Sequence, residues 1–230
     1  LKNHLERNYE EFRGKLMAKA RKPLVVDLDN TFIKTDLLFE GVNQLVSRNP
    51  LNIFKVISWV FKGKTTLKQE VARRVEFNYS VLPLNQGVVE LLQAARAEGR
   101  PTVLATASLE AQANDLAKAH PYFDKVHGTT AEKNLRGSAK LALLENLYSE
   151  TGFDYVGDAR ADLPVWASSE KKYLAATNSR IAKELARKQP DLQQVGEFRP
   201  GGIKALAKQL RVHQWVKNLL VFVSLLLTQQ

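Results

Sequence analysis

Leu24-Val25-Val26-Asp27-Leu28-Asp29-Asn30-Thr31 decides how this chain folds. Leu24, Val25 and Val26, two of them β-branched, predict a strand buried on both faces, as in a parallel sheet. Asp27 and Asp29 follow at once, so both carboxylates stand at the strand's C-terminal end, facing one side. Open α/β sheets bind their ligands in the crevice outside that edge. Two carboxylates so placed raise one another's pKa unless they share a cation. That points to a hard metal ion and to phosphate chemistry. Taken alone, the stretch reads equally well as a strand running into an Asp-rich turn; the residues downstream decide.

Strand and helix alternate through the rest of the chain. Strands are expected at Thr102–Ala105, Phe123–His127, Phe153–Val156, Tyr173–Ala176 and Gln194–Phe198. Helices are expected at Asn85–Glu98, Leu109–Ala119, Ser138–Tyr148 and Ser179–Lys188. This alternation predicts a three-layer, Rossmann-like α/β fold, and right-handed crossovers bring every strand's C-terminal end to one edge. Between the first strand and its returning helix the pattern is helical for some fifty residues. Asp36 caps a helix running to Val46, Leu51–Lys62 forms a second, and Thr65–Phe77 a third. The expected organisation is a basic N-terminal helix over 1–22, a core of 23–34 and 84–198, a small helical cap of 35–83, and a C-terminal piece of 199–230. In the second cap helix only Asn52, Lys55, Ser58 and Lys62 are polar. Such a helix is either packed in the cap's core, the default expectation, or rests on a membrane or a substrate tail.

Composition excludes several classes. The 230 residues are 44% hydrophobic and 25% charged, as in globular proteins. There is no Cys, hence no disulfide framework and no zinc–thiolate centre, and the four His are scattered without ligand spacing. The net charge of +10 is concentrated at the ends, +4 in residues 1–22 and +4 in 195–217. Basic ends beside an apolar C-terminal run fit an anionic membrane face better than nucleic acid. Leu1, standing where an initiating Met would be, reads as the start of an excised fragment.

Four polar groups converge on the sheet edge: Asp27 with Asp29, Thr106, Lys140, and Asp158 with Asp162. In this order they resemble the motifs of the haloacid dehalogenase superfamily of phosphohydrolases. Asp27, Asp29 and Thr31 match its Asp-x-Asp-x-Thr; Thr106 matches the Ser or Thr closing a second strand. Lys140 matches the Lys opening a later helix, and Gly157, Asp158 and Asp162 match Gly-Asp-x-x-x-Asp. Asn30 stands where many members carry Gly, and Asn tolerates the same turn conformations. The resemblance implies that Asp27 attacks phosphorus, that Asp29 serves as general acid and then base, and that Thr106 and Lys140 hold phosphoryl oxygens. It implies Mg2+ on Asp27, the Asp29 carbonyl, Asp158 and Asp162, the last directly or through water. Thr31, Ala107, Ser108 and Arg160 are candidate substrate contacts. Having Asp29 separates the chain from the dehalogenases and transport ATPases of the superfamily and points to a phosphatase or phosphotransferase.

From Gly201 the chain changes character. Gln214-Trp215-Val216-Lys217-Asn218 leads into the apolar run Leu219–Leu227. This segment resembles the opening of the UbiA family of membrane prenyltransferases, where a basic stretch precedes the first membrane helix. The implied protein is a phosphatase–prenyltransferase fusion at the cytoplasmic face of a bacterial inner membrane, acting on a phosphorylated small molecule or a lipid-linked sugar phosphate. Polyprenyl-phosphoryl-ribose 5-phosphate is the expected substrate. A small-metabolite phosphatase resembling phosphoserine phosphatase, or a non-catalytic domain regulating the attached transferase, are the competing expectations.

Overall fold

β1 (Leu24–Val26) is buried along its whole length and pairs on both sides with parallel neighbours, which is why an unbroken apolar triplet suits it. The computed structural model describes residues 21–175 and 179–196. The expected helix over 1–22, apart from its last two residues, and the expected linker and apolar run over 199–230 lie outside the described residues. No helix among the described residues is long and apolar enough to cross a membrane.

The elements that follow are α1 (Leu37–Arg48), α2 (Asn52–Phe61), α3 (Lys64–Ala72), α4 (Gln86–Ala97), β2 (Thr102–Leu109), α5 (Glu110–Ala119), β3 (Lys125–Thr129) and α6 (Ser138–Tyr148). The chain continues through β4 (Asp154–Gly157), α7 (Leu163–Ser168), β5 (Lys172–Leu174), α8 (Ser179–Lys188) and β6 (Leu192–Gln194). The six strands form one parallel sheet in the order β3-β2-β1-β4-β5-β6. The strand order reverses at β1, and that is where such sheets open a ligand crevice.

Alternate residues of the sheet feed two cores. Leu24, Val26 and Leu104 pack with α4 and α5 through Val88, Leu92, Ala113 and Leu116. Val25, Val103 and Tyr155 pack on the other face with Leu144 of α6, Trp166 of α7 and Leu185 of α8. The three-layer α/β expectation therefore holds. Several element boundaries differ from it. β2 runs on through Leu109, so Thr106, Ala107 and Ser108 lie on extended backbone rather than at a helix start. The third cap helix stops at Ala72, short of Phe77. β6 lies two residues earlier than expected, and α7 was not anticipated: six residues beginning Leu163-Pro164 are too few to show a helical period.

The cap is a helical unit with its own core of Leu45, Val56, Trp59, Leu67, Val71 and Val75. The chain enters and leaves it side by side, with Ile33 bridged antiparallel to Leu84. Lys34 N–H donates to the Pro83 carbonyl (2.7 Å) and Asn85 N–H to the Phe32 carbonyl (2.9 Å). One expectation fails here. α2 is not a core helix: only Val56 and Trp59 are buried, while Phe54 and Phe61 are 68% and 87% exposed. One strip of a ten-residue helix is all that α1 and α3 can cover.

Candidate active site

Asp27 follows β1, and its N–H donates to the Val156 carbonyl (3.0 Å), which holds it against β4. The chain then turns back on itself over Leu28–Phe32, with Phe32 N–H donating to the Asp27 carbonyl and Ile33 N–H to that of Leu28. Asn30 makes this turn at φ 62°, the one positive φ outside glycine among the described residues, as its short polar side chain permits. Lys140, in the first turn of α6, is buried under the cluster. Its Nζ lies 2.9 Å from Asp27 Oδ1 and 3.6 Å from Asp162 Oδ1, and donates to the Tyr155 hydroxyl at 2.8 Å. Tyr155 donates in turn to Asp162 Oδ1 (2.7 Å). After β4 a short turn folds Asp162 back, so that its Oδ2 accepts from the amides of Asp158 (3.2 Å) and Ala159 (3.1 Å). That return needs Gly157, because a Cβ there would sit 2.7 Å from Asp162 Oδ2.

Burial governs the ionisation of this cluster. It pushes the Asp27 carboxyl up, against the pull of the Lys140 ammonium. Burial alone would lower the Lys140 ammonium, but Asp27 and Asp162 outweigh it and hold its pKa above the ordinary lysine value. The Tyr155 hydroxyl is driven well above its usual range by burial and by Asp162, so it remains a donor.

Asp29 is held separately. Its Oδ1 accepts the Leu37 N–H at the start of α1 (2.8 Å), and its Oδ2 accepts the Ser108 hydroxyl (2.5 Å). Burial, then the neighbouring Asp36 carboxylate, push its pKa up to about 7 despite those two donors. Near neutrality it can hold or release a proton, while Asp27 is tied to a cation. The two carboxylates of one motif thus have different environments.

A cavity of about 170 Å³ opens over these groups. Asp27, Asp29, Lys140, Asp158 and Asp162 line it from the core, with Ala107 and Ser108 from β2. The cap contributes Asp36, Leu38, Lys64 and Lys68, and Arg136 comes from the loop before α6. Lys68 Nζ donates to the Ala107 carbonyl (2.5 Å), tying cap to core. Lys64, Lys68, Arg136 and Tyr155 were not among the expected site residues. Asp36, expected as a helix cap and a cap-side site possibility with a solvated-surface position favoured, caps α1 by accepting the Phe39 N–H and also lines the cavity.

Thr106 ends up one residue behind the lining, fully buried, its Oγ1 accepting the Ser108 N–H (2.9 Å). Two expected substrate contacts are corrected. Thr31 is fully buried inside the turn, and its hydroxyl, which lacks a hydrogen-bond partner, does not reach the cavity lining. Arg160 points away to the surface, where its guanidinium pairs with both carboxylate oxygens of Glu184 on α8. A second, shallower hollow of about 460 Å³ adjoins the cavity, sharing Asn30, Asp36 and Leu38 with it and lined further by Thr35, Phe39, Val42 and Leu67.

Residues 40–167 match the model of the haloacid dehalogenase-like hydrolase family. The chain belongs to that family. An uncharacterized protein of Sinorhizobium fredii, y4nM, is 32% identical over 205 residues, which is 89% of this chain and 40% of that protein. The chain thus spans well under half the length of this curated relative. Among solved structures, a haloacid dehalogenase-family hydrolase of Salmonella enterica serovar Typhi, t0658, superposes with a TM-score of 0.54 at 16% identity, over 83% of this chain and 71% of the other. A phosphoserine phosphatase carrying an analogue of its phospho-aspartyl intermediate does so with 0.50 at 14% identity, over 82% and 98%. A substrate-bound phosphoserine phosphatase gives 0.51 at 12%, over 75% and 92%. At these identities the likeness is one of fold.

The donor set of this haloacid dehalogenase-like hydrolase fits a hard divalent cation. Asp27, Asp158 and Asp162 each bring a carboxylate oxygen to within 4.8 Å of the others, with no sulfur or imidazole among them. Both oxygens of Asp162 already accept protein donors. It therefore suits a supporting place beside the ion, with Asp27 and Asp158 the other two carboxylates of the set.

Proposed function

We propose that this hydrolase cleaves phosphomonoesters through an aspartyl-phosphate on Asp27. The observation that carries this reading is the division of labour between the two carboxylates: Asp27 fixed on Lys140, Asp29 held apart with its pKa near 7. An Asp27 oxygen attacks phosphorus and the ester P–O bond breaks. The departing alkoxide takes its proton from Asp29. A water then gives a proton back to Asp29 and attacks the same phosphorus, releasing inorganic phosphate and restoring Asp27. Lys140 and Ser108 hold phosphoryl oxygens, and Thr106 supports Ser108 from below through its amide. Mg2+ is the cation that best suits the all-carboxylate set, and when bound it neutralises phosphoryl charge. Lys140 orients Asp27 and opposes the burial that raises its carboxyl, and Tyr155 keeps Lys140 and Asp162 in register.

The cavity walls support a substrate of particular character. Lys64, Lys68 and Arg136 provide cations beyond the one needed for the transferred phosphoryl group. The adjoining hollow offers the apolar surface of Leu38, Phe39, Val42 and Leu67 to the leaving group. A leaving group that is both anionic and apolar describes a lipid-linked sugar phosphate, and polyprenyl-phosphoryl-ribose 5-phosphate is the specific proposal. The C-terminal resemblance to UbiA prenyltransferases supports a proposed position at the cytoplasmic face of an inner membrane, where a tethered transferase would present that substrate at high effective concentration. The extra length of the Sinorhizobium relative accords with a second module.

The test is inorganic phosphate release, with and without Mg2+, from polyprenyl-phosphoryl-ribose 5-phosphate, phosphoserine and ribose 5-phosphate. The proposal expects Mg2+-dependent turnover with the highest kcat/KM on the lipid-linked ester. A higher kcat/KM on phosphoserine would replace that substrate with the small-metabolite reading that the phosphoserine phosphatase fold favours. No turnover of any phosphoester would leave the non-catalytic, regulatory reading.

A further inference from the structure

Beyond this catalytic reading, we infer that the outer face of α2 is a docking surface for an anionic lipid bilayer. At about 100° per residue, Val60, Ile53, Ile57, Phe61 and Phe54 fall in that angular order on one continuous arc of about 120°. All five are exposed, as is Leu51 just before the helix, and the largest of them, Phe54 and Phe61, are 68% and 87% exposed. Val56 and Trp59 lie on the flank beyond Val60, about 40° and 100° past it, and anchor the helix in the cap core. α2 is thus firmly seated from within and apolar on its outer arc.

Charge identifies the occupant. From residue 41 to residue 69 the cap has Arg48, Lys55, Lys62, Lys64 and Lys68 and no acidic residue. Arg48, Lys55, Lys62 and Lys64 are all exposed, and on the helix Lys62 and Lys55 follow Ser58 on the flank beyond Phe54, so that flank of the apolar arc carries positive charge and no carboxylate. Apolar side chains in the acyl boundary with lysines among the headgroups is the arrangement of an interfacial helix on an anionic leaflet. Size argues against a second copy of the chain. A ten-residue helix is about 15 Å long and its face about 10 Å wide, far short of the ~800 Å² per partner that stable protein interfaces bury. Lys64, which lines the cavity, follows Phe61 by three residues. A docked α2 would therefore set the cavity mouth close to the headgroups.

The experiment is co-sedimentation of the 230-residue chain with vesicles of phosphatidylglycerol and phosphatidylcholine, and with phosphatidylcholine alone. Three proteins are compared: the unmodified chain, Phe54→Ser/Phe61→Ser, and Lys55→Gln/Lys62→Gln. Hydrolysis of p-nitrophenyl phosphate and the thermal transition report that the cap is intact, the latter serving even if no ester is turned over. The unmodified chain is expected to bind the anionic vesicles, and less so at high salt. The serine pair should weaken that binding by about tenfold or more, and the glutamine pair several-fold on anionic vesicles only, with both readouts of folding unchanged. Equal binding by the serine pair would overturn the inference, because the lipid contact would then lie elsewhere in the chain. So would no binding by the unmodified chain, or a lipid-free dimer that the serine pair converts to monomer.

Discussion

Lys140→Met removes the charge that holds the carboxylate cluster together while keeping the length and apolar bulk of the side chain. Lys140 is 2% exposed, with Asp27 at 2.9 Å and Asp162 at 3.6 Å. Taking one partner from a buried ion pair leaves the other uncompensated and costs ~3–5 kcal/mol. A chain of this size loses about 2–4 °C of Tm per kcal/mol, so the transition should fall by ~6–20 °C. The sign with pH is fixed by the direction of the shift. Because the folded pKa of Lys140 lies above its ordinary value, its contribution is fully present below that value and is lost only as pH rises through the folded pKa. A melt at neutral pH therefore reads the whole effect. The assay is circular-dichroism melting without divalent cation, repeated with Mg2+, beside kcat on p-nitrophenyl phosphate. Mg2+ should recover part of the loss in the variant by replacing the missing positive charge, whereas kcat should stay down by roughly 10²–10³ because the phosphoryl oxygens lose a donor. The exposed Lys133→Met is the control and should melt within about 0.5 kcal/mol of the parent. A Lys140→Met protein that melts like this control, or that keeps full kcat, would refute the reasoning.

Three further substitutions probe the surroundings. Tyr155→Phe deprives the Lys140 ammonium and Asp162 Oδ1 of a buried partner, so stability should fall by about 1–3 kcal/mol in a denaturant titration. Lys68→Gln should raise KM roughly tenfold for a substrate carrying a second anionic group and leave kcat near its parent value, with no effect on p-nitrophenyl phosphate. Arg160→Ala loses only an exposed pair with Glu184, and kcat/KM should remain within about twofold of the parent while stability changes by less than about 1 kcal/mol.

The legible parts of this protein were those in which local chemistry and global position agree. Leu24-Val25-Val26 could be read because a strand buried on both faces has no polar alternation to imitate. Asp27, Asp29, Lys140, Asp158 and Asp162 could be read because each motif ends a strand or opens a helix, and parallel topology gathers all those points at one edge. Asn30 at positive φ followed from the tight turn directly after Asp29. Tyr155 escaped notice because on an apolar strand it looks like core, and only the Lys140–Asp162 geometry reveals what its hydroxyl does. Lys68 and Arg136 depend on how the cap sits over the core, and nothing in their own neighbourhoods marks them. Arg160 was misplaced for the opposite reason. It lies inside a catalytic motif, but the turn that returns Asp162 to the site sends the residue two before it outward. The apolar sequence of α2 favours burial in the cap core and is exposed instead, since hydrophobicity alone does not say how many neighbours a helix will have.

The central claim is that Asp27 carries the phosphoryl group. Its most direct test is an acid quench during turnover of a phosphoester labelled at phosphorus, in the presence of Mg2+, followed by peptide mapping of the label. The account predicts stoichiometric label on the peptide containing Asp27, stable in acid, discharged by hydroxylamine and absent from Asp27→Asn. Turnover at full rate with no label on that peptide, or with label on another residue, would contradict it.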